Sequence, residues 1–240
     1  MSVFSLTDAR IFVGGYDLST DHSALALGIT YDEHDVSAFG GGGYRSRIAG
    51  LGSIDLTGQG WQDFADDNPD DVLNALLGTS EVMTICPTTG ADGERAFAFQ
   101  GVTFDYVPLD GAVGDPAKFS FSAKGKTVAT QGTVLHPYSE AETATGVGTG
   151  RQLGAGTGKT VYAALHVISA SASDTLDVIV QTDNGAGFAS PTTLITFAQA
   201  TAVGAQFLSA TGNGDDYYRV SFTIGGAATS FNFVCVVGLK

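Results

Sequence analysis

In the run Asp215-Asp-Tyr-Tyr-Arg-Val-Ser-Phe-Thr-Ile, the side chains of Tyr218, Val220, Phe222 and Ile224 fall on every second position, with Arg219, Ser221 and Thr223 between them. Only an extended strand sends such residues to opposite faces, one for a core and one for water. The pattern recurs where Phe119 and Phe121 alternate with Ser120 and Ser122. Phe97, Phe99, Val102, Phe104 and Tyr106 add the aromatic and β-branched side chains that pack on a pleated face. With 33 glycines spread among short apolar runs, and 43% hydrophobic against 15% charged residues, the chain reads as many strands joined by tight turns. The fold class is all-β.

Strands are expected over 10–13, 25–31, 47–57, 81–86, 96–108, 118–124 and 128–135, then over 160–169, 175–182, 192–198, 205–210, 217–224 and 230–237. One short helix interrupts them. Asn68 is its N-cap, Pro69 its first position, Asp70 and Asp71 its acidic first turn and Gly78 its stop, with Val72, Leu73, Leu76 and Leu77 as the apolar face. Between the two series, residues 139–150 are rich in Gly, Thr and Glu and poor in large apolar side chains, the composition of a flexible linker. The expected organisation is a first domain over 1–138, a linker over 139–150 and a second antiparallel β-sandwich over 151–240.

The formal net charge of −14 repels a phosphate backbone and argues against specific nucleic-acid binding. Cys86 and Cys235 sit in apolar runs, where free buried thiols fit better than a disulfide. The opening residues carry no basic, apolar targeting pattern, and no stretch approaches the ~20 apolar residues of a membrane span. A soluble protein made in a cytoplasm is expected.

Motifs with chemical potential are few. Gly154-Ala-Gly-Thr-Gly-Lys159-Thr160 looks like a phosphate-binding loop, but the first glycine such a loop requires falls on Leu153. The strand-like sequence that follows also denies it the helix N-terminus that holds phosphate. The glycines are read instead as a turn into a strand that Lys159 and Thr160 begin at the surface. Asp32-Glu33-His34-Asp35 could gather a cation, yet it reads as a solvated loop tip leading into Gly40 to Gly43. His22, His34, His136 and His166 are scattered without a catalytic signature, and His166 is expected to be outward-facing or a satisfied partner in the sandwich. Asp63, Asp66, Asp67, Asp70 and Asp71 are accounted for as cap and first-turn residues rather than a glycosidase pair. Trp61 is read as a packing anchor. No catalytic residue, metal ligand or cofactor site is assigned.

The order of segments through residue 138 carries a resemblance. A strand with a glycine turn (ARIFVGGYDLS) leads to a strand and a long glycine-rich excursion (TYDEHDVSAFGGGGYRSRIAG). A strand ending in GLGSIDLTG, a helix and a final strand pair (AFAFQGVTFDYVPLDGAVGDPAKFSFSAKG) follow. This order resembles the tail tube, or major tail, proteins of long-tailed bacteriophages, and the remainder looks like a β-sandwich module appended to virion proteins. The resemblance implies a tail-tube-like β-sandwich or barrel followed by an outer sandwich, and a non-enzymatic virion protein made in the bacterial host cytoplasm. It implies hexameric rings stacked into a tube, contacts with other tail proteins, and DNA passing through an acidic lumen unbound. It also implies that the excursion reaches a neighbouring subunit or ring, through Tyr31, Asp32, Glu33, His34, Asp35, Val36, Phe39, Gly40, Gly41, Gly42, Gly43 and Tyr44. Two alternatives stand beside it: a capsid decoration or tail-tip protein, and a carbohydrate-binding module in which the C-terminal domain holds cell-surface glycans through exposed aromatics such as Tyr162 or Tyr217.

Overall fold

The computed structural model describes residues 6–38, 44–138, 141–171, 173–226 and 230–240. In chain order the strands begin with β1 (Arg10–Val13), β2 (Tyr16–Asp17), β3 (His22–Asp35) and β4 (Arg47–Trp61). After helix α1 (Pro69–Ala75) come β5 (Ser80–Cys86), β6 (Arg95–Asp110), β7 (Lys118–Gly125) and β8 (Thr130–His136). Three two-residue strands follow, β9 (Ala141–Glu142), β10 (Gly146–Val147) and β11 (Arg151–Gln152). The rest of the chain forms β12 (Thr160–Ala170), β13 (Thr175–Asp183), β14 (Thr192–Thr196), β15 (Gly204–Thr211), β16 (Tyr217–Gly225) and β17 (Phe231–Leu239). The fold is all-β, with antiparallel strand pairing and sheets that are open rather than closed into a barrel.

The chain folds as two compact units. One comprises Met1–Thr20, Glu81–Gln100 and Thr130–Lys240; the other comprises Asp21–Ser80 and Gly101–Ala129. Each half of the long strand β6 therefore serves a different unit.

In the first unit one sheet runs β15-β12-β17-β8-β6-β5-β1-β2, and a second contains β10, β16, β13 and β14, with β11 also on β16. The period-two pattern explains what lies between them. Phe231, Phe233, Cys235 and Val237 of β17 share a core with Leu165, Val178 and Val220. Val234 and Val236 point the other way, into a second core with Phe12, Val82, Cys86 and Val134. Strand β17 is thus buried on both faces, which is why FNFVCVVG is an almost unbroken apolar run. Each fully buried Val or Phe there contributes about 1.5–3 kcal/mol.

The second core also contains Ala96, Ala98 and Ala164, so residues on both sides of 139–150 belong to one apolar cluster. The grouping into units consequently differs from the 1–138 and 151–240 partition expected from composition. The cause is the pairing of β8 with β17, in which His136 lies opposite Cys235 and Thr133 opposite Val237. No local pattern announces a contact so distant in sequence. Within the expected linker, 139–150, two short strands form: β9 pairs with β17 and β10 with β16, and just after it β11 also pairs with β16. The linker's backbone groups find ladder partners even though its side chains contribute little to a core. Buried His136 fastens this segment, meeting Phe233 O with Nδ1 at 3.0 Å and Glu142 Oε1 with Nε2 at 3.1 Å.

His166 is a satisfied partner, but it faces inward. It is fully buried, its Nδ1–H donating to Gly14 O at 2.7 Å and its Nε2 accepting from the Thr84 hydroxyl at 2.7 Å. Burial pushes its pKa down from 6.5 to about 4, partly opposed by the bond to Gly14. The glycine-rich stretch before β12 is a turn, as read from the sequence. Gly158 has φ 74°, the Lys159 N–H donates to Gly156 O, and the next residue begins a strand. Both cysteines are buried and free, and burial pushes each thiol up to about 12.

In the second unit β3, β4, β7 and the latter half of β6 form a four-stranded antiparallel sheet in that order. Helix α1 begins at Pro69 after Asn68, and the chain leaves it through Gly78 at φ 78°. The Asn68 side chain makes no cap hydrogen bond; the Asp71 carboxylate accepts from the Asp67 N–H instead. Val72 and Leu73 are buried. The Tyr106 hydroxyl donates to Asp70 Oδ1 at 2.8 Å and accepts from Gln62 Nε2 at 2.9 Å, pinning the helix to β6.

Candidate self-association surface

Strands β3 and β4 pair from His22 opposite Gly60 to Asp35 opposite Arg47. The third strand, β7, pairs with β4 only as far as Asp55 opposite Lys124. Beyond Asp55 the hairpin is a two-stranded ribbon, and seven or eight residues of strand extend it by roughly 25 Å. A two-stranded ribbon alone is marginal in water. Gly60 makes its base possible, because a Cβ there would stand 1.8 Å from Asp21 O.

Alternation carries the sheet's core face out along this ribbon. Leu27 lies opposite Leu56, Ile29 opposite Ile54, and Tyr31 opposite Gly52, so all of these share one face. Ile54 and Leu56 are buried, whereas Ile29 and Tyr31 on the same face are exposed. Leu51 is 80% exposed, and Ile48, Val36 and Tyr44 are exposed nearer the tip. Thirteen of the sixteen exposed large hydrophobic residues among those described belong to this unit, including Phe104, Leu109 and Val113 on and beside β6. Scattered exposed leucines need no explanation; a concentration on one unit does.

Two ion pairs link the two arms of the ribbon near its tip. Arg47 Nη1 lies 2.5 Å from Glu33 Oε1 and Arg45 Nη1 lies 3.6 Å from Asp35 Oδ2. Hydrogen bonds from Ser37 hold the Asp35 carboxyl below its ordinary value. These ion pairs are exposed and add little stability, but they fix the register and discourage slippage.

Among the residues singled out in the sequence, Tyr31, Asp32, Glu33, His34 and Asp35 all lie on β3, with Val36 and Tyr44 just beyond the strand ends. Asp32 to Asp35 are therefore strand residues and not a loop tip; the cross-strand arginines allow charged residues to continue the ladder. Phe39, Gly40, Gly41, Gly42 and Gly43 lie outside the described residues. No group of three or more metal-ligating side chains able to hold an ion occurs among the described residues. The sequence reading missed the β4 half of the ribbon, Ile48 and Leu51, and the apolar end of β6. Glu33 matched to Arg47 and Asp35 matched to Arg45 about a common turn are the signal that could have revealed the longer hairpin. Trp61, read as a packing anchor, is 48% exposed at the end of β4, with Lys118 Nζ 5.5 Å from its ring centre. Tyr162 and Tyr217 are half-buried, and the Tyr162 ring stacks on Phe207.

The sheet's other face carries more polar side chains: Thr57, Gln59, Asp105, Ser120 and Ser122 line a shallow hollow of about 350 Å³ together with Ala24, Leu25, Ala26, Gly58 and Phe121. Asp55 beside Lys124 continues the face, and its carboxyl is held low by that lysine.

No protein-family model matches the sequence, and no curated protein matches it significantly. Among solved structures, a chain from the virion of a native gene transfer agent particle shares 14% identity, with 52% of this chain and 95% of that one covered at a TM-score of 0.44. A chain from the tail of an empty gene transfer agent particle with C6 symmetry shares 14%, covering 50% and 93% at 0.41. The Dit protein of phage SPP1, from a hub adsorption apparatus, shares 11%, covering 97% and 99% at 0.35. None reaches a TM-score of 0.5, so none identifies this chain.

Proposed function

We propose that the protein is a structural subunit of a phage-type tail, assembling with copies of itself through the β3–β4 ribbon and the open edge of its four-stranded sheet. The observation that carries this reading is the apolar face of that sheet, which continues onto a ribbon where Ile29 and Tyr31 are exposed on that face and Leu51 is exposed on the other. Among the described residues β3 pairs with β4 alone, so its other edge along 24–35 offers backbone N–H and C=O groups to another strand. The segment order of the first 138 residues supports placement in a tail, with rings stacked into a tube and the ribbon reaching the adjacent copy. Turned toward a bore, the polar face with Asp105 and the Asp55–Lys124 pair would offer passing DNA no cluster of cations.

Electron microscopy and sedimentation of the purified chain test the proposal. Rings or tubes are expected, sixfold in end view; trimers would point to a decoration or tip protein. Leu51→Asp combined with Tyr31→Ser should weaken association by roughly tenfold or more, since each covered apolar side chain contributes about 1.5–3 kcal/mol. The monomer should keep its thermal stability, because both residues are exposed. A chain that stays monomeric at high concentration, or a double variant that assembles as readily as the parent, refutes it.

A further inference from the structure

The first unit contains a second feature that is independent of whether the ribbon drives assembly. Arg95 of β6, Gln131 and Thr133 of β8, Gln152 of β11 and Lys159 of the turn before β12 line a cleft of about 350 Å³. The strand ladder places Arg95 opposite Thr133, and Thr133 opposite Val237, so the arginine stands at a fixed point beside the cleft. Leu153, Val237 and Leu239 complete the lining, and two glycines let β8 and β17 approach closely beside it: a Cβ on Gly132 would come within 2.5 Å of Val237 O, and one on Gly238 within 2.6 Å of Gln131 O.

The charge in this cleft runs against the rest of the molecule. In a chain with 25 carboxylates and 11 cationic side chains, the cleft is lined by two cations and no carboxylate. Arg10, Arg45, Arg47, Lys124 and Arg151 each hold an aspartate or glutamate. Among the described residues neither Arg95 nor Lys159 does. The neighbour of Arg95 is uncharged: with the Gln131 carboxamide turned so that its oxygen faces the guanidinium, that oxygen accepts from Nη1 and Nε at 3.2 and 3.1 Å, which leaves the other N–H groups of Arg95 for a ligand. Lys159 is fixed at its backbone by hydrogen bonds to Gly156 and Gly212, while its side chain is exposed.

We propose that this cleft binds an oxyanion, a phosphate or carboxylate, carried on a small polyol. Arg95 and Lys159 take the charge, while the Gln131 and Gln152 carboxamides and the Thr133 hydroxyl take neighbouring hydroxyl groups. The volume suits a ligand of monosaccharide size. No aromatic ring lines the cleft to stack on a base, which disfavours a nucleotide. The lysine of the sequence's glycine-rich motif thus acts from a strand-opening turn and not from a phosphate loop.

Isothermal titration calorimetry of the full chain with glycerol phosphate, glucuronate, inorganic phosphate and glucose tests this. Saturable binding of glycerol phosphate or glucuronate is expected, with glucose inert and the affinity falling as salt rises. Arg95→Gln and Lys159→Gln should each lower affinity roughly tenfold, the worth of one charge-assisted hydrogen bond. Both side chains are exposed, so melting temperatures should stay with the parent. Inorganic phosphate binding as tightly as glycerol phosphate would overturn the polyol part of the proposal; weaker binding of the bare ion supports it. No saturable heat with any anion, equal binding of glucose, or affinity unchanged in both variants overturns the proposal.

Discussion

Acid should loosen the first unit through one side chain. In the unfolded chain the His166 imidazole titrates near 6.5. In the folded chain burial pushes it down to about 4, and its packed partners Gly14 O, Thr84 and Phe12 are uncharged. Between these values the unfolded state binds a proton that the native state refuses, so stability is unaffected above pH 6.5 and falls as pH drops toward 4. At pH 5 the loss from this one group is ~2 kcal/mol. For a chain of 240 residues that corresponds to roughly 4–8 °C in melting temperature. His166→Gln removes the proton while retaining an N–H for Gly14 and a carbonyl for Thr84, so the variant is less stable at pH 7.5 through imperfect packing. Urea denaturation of both proteins at pH 7.5 and 5.0, followed by far-UV circular dichroism, isolates the effect because every other titrating group cancels in the difference. The parent's advantage should shrink by ~2 kcal/mol at the lower pH. An advantage that is the same at both pH values refutes the reasoning.

Two further outcomes follow from the packing. Gly60→Ala places a Cβ against Asp21 O and should cost the second unit ~2 kcal/mol or more, read from the fluorescence of adjacent Trp61; an unchanged midpoint contradicts the close approach. With both thiols pushed up to about 12, iodoacetamide at pH 8 should label neither Cys86 nor Cys235 in the native protein and both in guanidinium; mass spectrometry showing a labelled native chain contradicts their burial.

Strand identity was legible wherever one face meets a core and the other meets water, as at Phe119-Ser-Phe-Ser and at Tyr218 to Ile224. Helix α1 was legible from Pro69 and Gly78, because only backbone rules decide those positions. The partition into units was not, since it depends on which strands pair, and His136 opposite Cys235 leaves no trace in either local pattern. The short strands at 141–142 and 146–147, inside the expected 139–150 linker, were hidden for a related reason: composition reports side chains, whereas these strands are held by backbone groups. Half of the candidate surface could be read from Tyr31 to Tyr44. The other half, at Ile48 and Leu51, appeared only once pairing showed how far the hairpin outruns its neighbour.

Strand β17, buried on both faces, also sets a clock. Its partner β8 precedes it by about a hundred residues, since His136 pairs with Cys235. At ~5–20 residues per second a ribosome needs roughly 5–20 s to cover that distance. During this interval the strands at Phe12, Val82 and Val134 have emerged, but the Val234 and Val236 side chains that close their core have not. The second unit, complete in sequence by Ala129, is under no such delay. A nascent chain therefore presents the exposed Ile29, Tyr31 and Leu51 of its ribbon while the core around Val234 and Val236 is still waiting to be made, so the order of synthesis exposes the proposed contact surface before folding is finished.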